Sequence, residues 1–184
     1  MGIKKQIQTD EELIKRFCNG NNSAFDSLYK RYYAKLLYFI IQSTSYSEAE
    51  SKDILQDVFM KVIDKRNTFD ISKRFSIWIY TITSNKCKNA IKRNSIKTKV
   101  EKEIYLDIMN SNGKTTETTK LKAIRKELRN ISTKHKQVFL LRFNFGFTIK
   151  ETADILEISE GTVKSRLYNC IQNLSSKQSI KSLK

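Results

Sequence analysis

The sequence predicts an all-α protein: two small helical domains joined by a flexible linker, the C-terminal one a helix-turn-helix. Three observations carry this. The 184 residues hold no proline and only 5 glycines, so little interrupts long helices. Apolar residues recur at helical spacing in two blocks, separated at 98–120 by the polar stretch TKVEKEIYLDIMNSNGKTTETTK. Near the C-terminus, TIKETADILEISEGTVKSRLYNCIQNL has the outline of two short helices around a tight turn.

The elements follow in order. Asp10 is the expected cap of a short helix with Leu13, Ile14 and Phe17 on one face, broken by Gly20, Asn21 and Asn22. A second helix begins near Ser23, its stripe running through Phe25, Leu28, Tyr29, Tyr32, Leu36, Phe39 and Ile40. Ser47 and Glu50 form an S-x-x-E capping box ahead of a helix that buries Ile54, Leu55, Val58, Phe59, Val62 and Ile63. Residues 67–74 read as a loop, and the next helix carries Trp78, Ile79, Ile82 and Ile91 before ending in a basic stretch. These elements make a first domain at 7–97. The linker at 98–120 holds Asn110, Ser111, Asn112 and Gly113 in succession, with a short amphipathic piece around Ile104 to Met109. The second domain spans 121–180. It opens with Leu121, Ile124, Leu128 and Ile131 on one face, then Val138, Leu140, Leu141 and Phe143 mark a helix that Gly146 ends.

Composition narrows the function. Lys and Arg number 35 against 19 acids, a net charge of +16, which makes an acidic polymer the natural partner. No apolar run approaches the roughly 20 residues that span a bilayer, so no membrane insertion is expected. The lysines of MGIKKQIQTDEEL are followed by no apolar stretch, so a cytoplasmic protein is expected rather than a secreted one. Cys18, Cys87 and Cys170 lie far apart and His135 is the lone histidine, so neither a metal site nor a Cys–His nucleophile is expected. There is no glycine-rich phosphate loop. We expect no cofactor and no catalysis.

Three constellations carry the chemistry. In the C-terminal motif, Thr148 and Glu151 cap a helix over Ile149–Leu156, Ile158 plugs the turn, and Ser159 caps the second helix. Val163, Leu167, Cys170, Ile171 and Leu174 are expected to face inward. Lys164, Ser165, Tyr168 and Asn169 face outward, as a helix reading base edges requires, with Lys164 and Arg166 suited to phosphates. Glu157 stands in the turn where glycine is common, and a side chain there costs roughly 1 kcal/mol in the left-handed conformation. The competing reading is a plain helical hairpin with a solvated face. Second, Asp53, Gln56 and Asp57 share a helical face away from the apolar stripe, a docking surface for a basic partner or a merely solvated face. Third, Trp78 and Tyr80 lie among Arg74, Asn85, Lys86, Lys88, Lys92 and Arg93, downstream of Phe69. Cations hold a nucleic-acid backbone, while aromatics stack unpaired bases for about 1–3 kcal/mol each. The alternative is core aromatics beside a solvated basic face.

In order, the blocks AFDSLYKRYY, DILQDVFMKVIDKRNTFD, FSIWIYTITSNKCKNAIKR and ISTKHKQVFLLRFNFGFTIKETADILEISEGTVKSRL resemble the extracytoplasmic-function (ECF) sigma factors of the sigma-70 family. The resemblance implies a promoter-melting region-two domain at 7–97 and a region-four domain at 121–180, without the region-one and region-three domains of larger relatives. It implies that Asp53, Gln56 and Asp57 contact the clamp helices of core RNA polymerase. Phe69 through Ser76 would form the loop that captures a flipped base of the −10 element, with Asn85 contributing. Lys164, Ser165 and Asn169 would read the −35 element of promoter DNA. Many relatives have Arg at the position of Asn169; Arg suits guanine and Asn suits adenine. An anti-sigma factor is the further partner implied. Two rivals stay open: a conventional helix-turn-helix activator or repressor with a helical sensor domain, and a basic nucleic-acid enzyme such as a nuclease, for which the acids do not converge on one site.

Overall fold

A computed structural model describes residues 8–44, 46–97 and 131–175. The expected linker at 98–120 and the face formed by Leu121, Ile124 and Leu128 lie outside the described residues. The first domain contains α1 (Asp10–Cys18), α2 (Asn22–Thr44), α3 (Glu48–Lys65), a 3-10 turn (Arg66–Thr68) and α4 (Phe75–Lys97). The second contains α5 (Thr133–Phe139), a π-helical turn (Leu140–Asn144), α6 (Ile149–Leu156) and α7 (Glu160–Ser175). No strand occurs among the described residues.

Helix starts are set by side-chain caps. Thr9, Ser47 and Thr148 each accept a hydrogen bond from the backbone N–H three residues on, and Glu12, Glu50 and Glu151 accept one from the backbone N–H of the cap. The cap of α1 is therefore Thr9, not Asp10. The Asp10 carboxylate instead accepts from Arg31 and from the Tyr32 hydroxyl on α2, a tertiary use that overrides its local capping propensity. Glu11 accepts from the N–H of Phe75 at 3.0 Å, so α1 caps α4 as well.

Leu36, Phe39, Ile40, Leu55, Val58, Phe75 and Ile79 fill the centre of the first domain, all close to zero exposure. Each such side chain contributes about 1.5–3 kcal/mol by leaving water. The core does not stop at the domain edge. Phe145 packs on Phe39 and Tyr80 with ring centroids 6.0 and 5.0 Å apart, and Phe147 lies 5.1 Å from Tyr80. The two helical blocks thus share one continuous apolar seam.

Two apolar positions depart from expectation. Phe143 is 56% exposed. The π-helical turn closes with Phe145 N–H bonded to the Leu140 carbonyl five residues back, which rotates later residues off the α-helical stripe. Ile171 is 45% exposed. At 3.6 residues per turn it sits about 70° from the line through Val163, Leu167, Cys170 and Leu174, beyond the covered face. Tyr80 departs in the other direction: it is buried in the seam, not arrayed with the cations.

Candidate nucleic-acid and polymerase interface

Arg74, immediately before α4, starts a stripe that Trp78, Thr81, Asn85, Lys88 and Lys92 continue along the helix, spaced three or four residues apart. At its N-terminal end the loop after α3 opens a cleft of ≈ 640 Å³ lined by Phe69, Asp70, Lys73, Arg74 and Trp78. Phe69 packs on Trp78 at 5.0 Å and edge-on to Phe75 at 5.9 Å. It is only 8% exposed, so it is a wall of the cleft and part of the core at once. Asp70 accepts hydrogen bonds from the N–H and hydroxyl of Ser72, which hold its carboxyl below the usual carboxylate range and fix the loop. Further along α4, Lys92 and Arg93 are exposed.

On α3, Asp53, Gln56 and Asp57 are all exposed and point away from the buried Ile54, Leu55, Val58 and Phe59. Lys86 reaches across from α4 to Asp57 at 3.0 Å. Beside this polar face lies an apolar cleft of ≈ 300 Å³ lined by Phe25, Tyr29, Tyr33, Gln56, Phe59 and Met60. Sequence reasoning assigned Tyr29 to the core stripe and passed over Met60; they are 39% and 52% exposed. The available signal was Met60 itself, an apolar residue off the buried stripe of α3.

In the C-terminal motif, α6 and α7 occupy the expected spans. Ser159 Oγ accepts from the N–H of Thr162 at 3.2 Å, capping α7. Lys164, Ser165, Tyr168 and Asn169 are exposed, Arg166 is half-buried, and Val163 and Cys170 are fully buried beneath them. Burial pushes the Cys170 thiol up to about 11, so it packs as an inert apolar group. The Ser165 hydroxyl donates to the Thr162 carbonyl within its own helix at 3.1 Å.

The turn between these helices is left-handed at Glu157 (φ 55°, ψ 50°), the only non-glycine residue with positive φ among those described. Ile158 N–H closes the turn on the Ala153 carbonyl at 3.1 Å. The Glu157 carboxylate accepts from Asn85 Nδ2 at 3.1 Å and lies 3.8 Å from Lys88 Nζ. Lys88 also donates to the Leu156 carbonyl at 2.8 Å, at the negative end of α6. Six residues back, nearly two turns, Glu151 pairs with Arg74. Burial opposes the Glu151 charge, but hydrogen bonds from Thr148 and the pairing with Arg74 outweigh it and hold the carboxyl below its usual range. Asp154, between them, lines the α4 cleft. The fold therefore brings Phe69, Arg74 and Trp78 together, ties Asn85 and Lys88 to α6, turns Lys86 toward α3, and keeps the α7 set on a separate helix.

Residues 28–96 match the sigma-70 region 2 family, and residues 121–174 match sigma-70 region 4. The chain belongs to the sigma-70 family. As a sigma factor it is similar to curated relatives of the ECF group. It is 25% identical to the ECF RNA polymerase sigma factor SigM of Mycobacterium tuberculosis over 159 residues, covering 86% of this chain and 79% of that protein. With SigW of Bacillus subtilis it shares 25% identity over 181 residues, covering 91% and 92%. Its fold is similar to that of the sigma factor RpoE in complex with the anti-sigma factor NepR from Bartonella quintana, with TM-score 0.71 and 20% identity over 83% of this chain and 94% of that one. It is likewise similar to CnrH in complex with the cytosolic domain of CnrY, at TM-score 0.67 and 21% identity over 92% and 96%. A sigma factor of this group binds core RNA polymerase and directs promoter-specific transcription initiation. Region 2 and region 4 in one chain favour that function over the conventional activator. Among the described residues, no helix is long and apolar enough to cross a membrane.

Proposed function

We propose that this sigma factor divides its work among three surfaces. Asp53, Gln56 and Asp57, extended by the apolar cleft at Tyr29 and Met60, dock on core RNA polymerase. The cleft of Phe69, Arg74 and Trp78 receives an unpaired base of the −10 element, and Asn85, Lys86, Lys88, Lys92 and Arg93 hold the strand. Lys164, Ser165, Arg166, Tyr168 and Asn169 engage the −35 element as duplex. The observation that carries this reading is the α4 stripe, where cations continue from an aromatic-walled cleft, the combination that single-strand binding needs. The protein acts without catalysing a reaction of its own, in the cytoplasm, and an anti-sigma factor is its regulatory partner; the similar fold of RpoE bound to NepR supports that partner class.

Core binding gives the direct test. Asp53→Lys combined with Asp57→Lys should weaken retention by core polymerase at least tenfold while the helical circular-dichroism signal is kept, because exposed helix positions contribute little to stability. Unchanged affinity in the double variant removes the α3 face from the interface. For the cleft, Asn85→Ala should reduce permanganate reactivity of −10 thymines in open complexes and spare core binding; full reactivity would exclude Asn85 from base capture.

A further inference from the structure

We infer that the free sigma factor shuts its own −10 surface with its −35 domain, and that Glu157 is the latch. The inference rests on the reading of α4 as the strand-binding helix. Helix α6 and the turn that follows it lay Glu151, Asp154 and Glu157 along α4 at intervals of three residues. Glu151 takes Arg74, Asp154 lines the cleft, and Glu157 takes Asn85 and approaches Lys88. These are the groups that would otherwise meet a DNA strand, so three carboxylates stand where phosphates would lie. A strand and α6 cannot occupy the stripe together.

The choice of residue at the turn supports a specific role for Glu157. Glycine fits the left-handed conformation without strain, and the turn's backbone bonds need no side chain. Glutamate stands there instead, and among the described residues its carboxylate contacts lie across the domain boundary. Backbone strain held at one site and spent on a contact elsewhere is characteristic of switching elements. The apolar half of the closure is Phe145 and Phe147 on Tyr80. It is imperfect: the Tyr80 hydroxyl is buried there without a hydrogen-bond partner among the described residues. Closure is therefore opposed by a stranded hydroxyl and fastened by two ion pairs, one with half-buried Glu151 and one with exposed Glu157, a balance that a partner's binding can tip.

Two variants of the full chain test this. Glu157→Gly removes the latch and relaxes the turn, so the helix-turn-helix stays folded. Phe145→Ala loosens the aromatic half and changes no charge. Both should enlarge the radius of gyration of the free protein in small-angle scattering. Both should also raise affinity for a fluorescein-labelled oligothymidylate by about three- to tenfold, since apparent affinity scales with the open fraction. Unchanged size and affinity in both variants overturn the latch. Tighter binding by Glu157→Gly with none by Phe145→Ala also overturns it, because that result needs only a lost negative charge. Failure of the underlying reading has its own signature: Lys92→Ala with Arg93→Ala then leaves oligothymidylate affinity unchanged, and masking falls with it while scattering still reports whether the domains part.

Discussion

At the scale of single residues, the outward face of α7 separates reading from gripping. Asn169 and Ser165 lie one turn apart and are exposed, with Lys164 beside them. The Ser165 hydroxyl is engaged by its own helix, which leaves Asn169 as the better base reader. Asn offers a donor and an acceptor to adenine, a bidentate contact worth about 1–3 kcal/mol of discrimination. Asn169→Arg is expected to move the preference at one −35 position toward guanine in a randomised promoter library transcribed by holoenzyme. Lys164→Ala should lower affinity for all sequences and reduce the salt slope by about one, the mark of a lost phosphate contact. The reverse pattern would exchange the two roles. The exposure of these side chains was readable in the sequence because it follows helical period. The contacts of Glu157 were not readable; it looked like a missing glycine, and its partners, Asn85 and Lys88, lie some seventy positions away in the chain.

At the scale of elements, α6 depends on its start. Thr148 and Glu151 exchange hydrogen bonds of 2.8 and 3.1 Å in the capping box, and Glu151 also holds Arg74. Thr148→Ala should cost about 0.5–2 kcal/mol, read as a lowered denaturation midpoint and faster amide exchange across α6 and α7. Because the folded carboxyl of Glu151 is held below its ordinary value, its contribution is complete above the unfolded pKa and is lost as pH falls through the folded one. Stability should therefore drop on the acid side, and Glu151→Gln should flatten that drop; an identical acid limb in the variant would show the carboxylate uninvolved. The spans of α6 and α7 were legible from their capping and plug residues. The π-helical turn at Leu140–Asn144 was not, because an inserted residue leaves no composition signal and reveals itself only as Phe143 displaced to the surface.

At the scale of the whole molecule, the two helical blocks share an apolar seam made by Phe39, Tyr80, Phe145 and Phe147. Calorimetry of the free protein should show a single cooperative transition, and Tyr80→Ala should split it or broaden it into two. Two transitions in the parent protein at every ionic strength would mean that the seam couples nothing. The domain count, the class and the helix order were legible in the sequence because each domain's pattern is local. The seam was not, since Tyr80 and Phe145 each sit at positions that suit a surface patch as well as an interior. Only the meeting of two surfaces decides between those fates.

The ion pair between Lys86 and Asp57 gives the polymerase and the promoter a common creditor. One charge stands on the face assigned to the enzyme, the other on the helix assigned to the melted strand, 3.0 Å apart. On the proposed assignment of these two faces, a basic group of polymerase arriving at Asp57 would weaken its hold on Lys86, whose ammonium would then become available to phosphate. Linkage makes this reciprocal: a strand that draws Lys86 away leaves Asp57 more negative toward polymerase. The size is modest, since exposed pairs are worth about 0.2–1 kcal/mol. Even so, it predicts a sign. In a double-mutant cycle, Asp57→Asn should raise single-strand affinity of the free protein while Lys86 is present and leave it unchanged when Lys86 is already alanine. Promoter opening would then begin at the moment of docking, with one lysine changing hands before any base pair breaks.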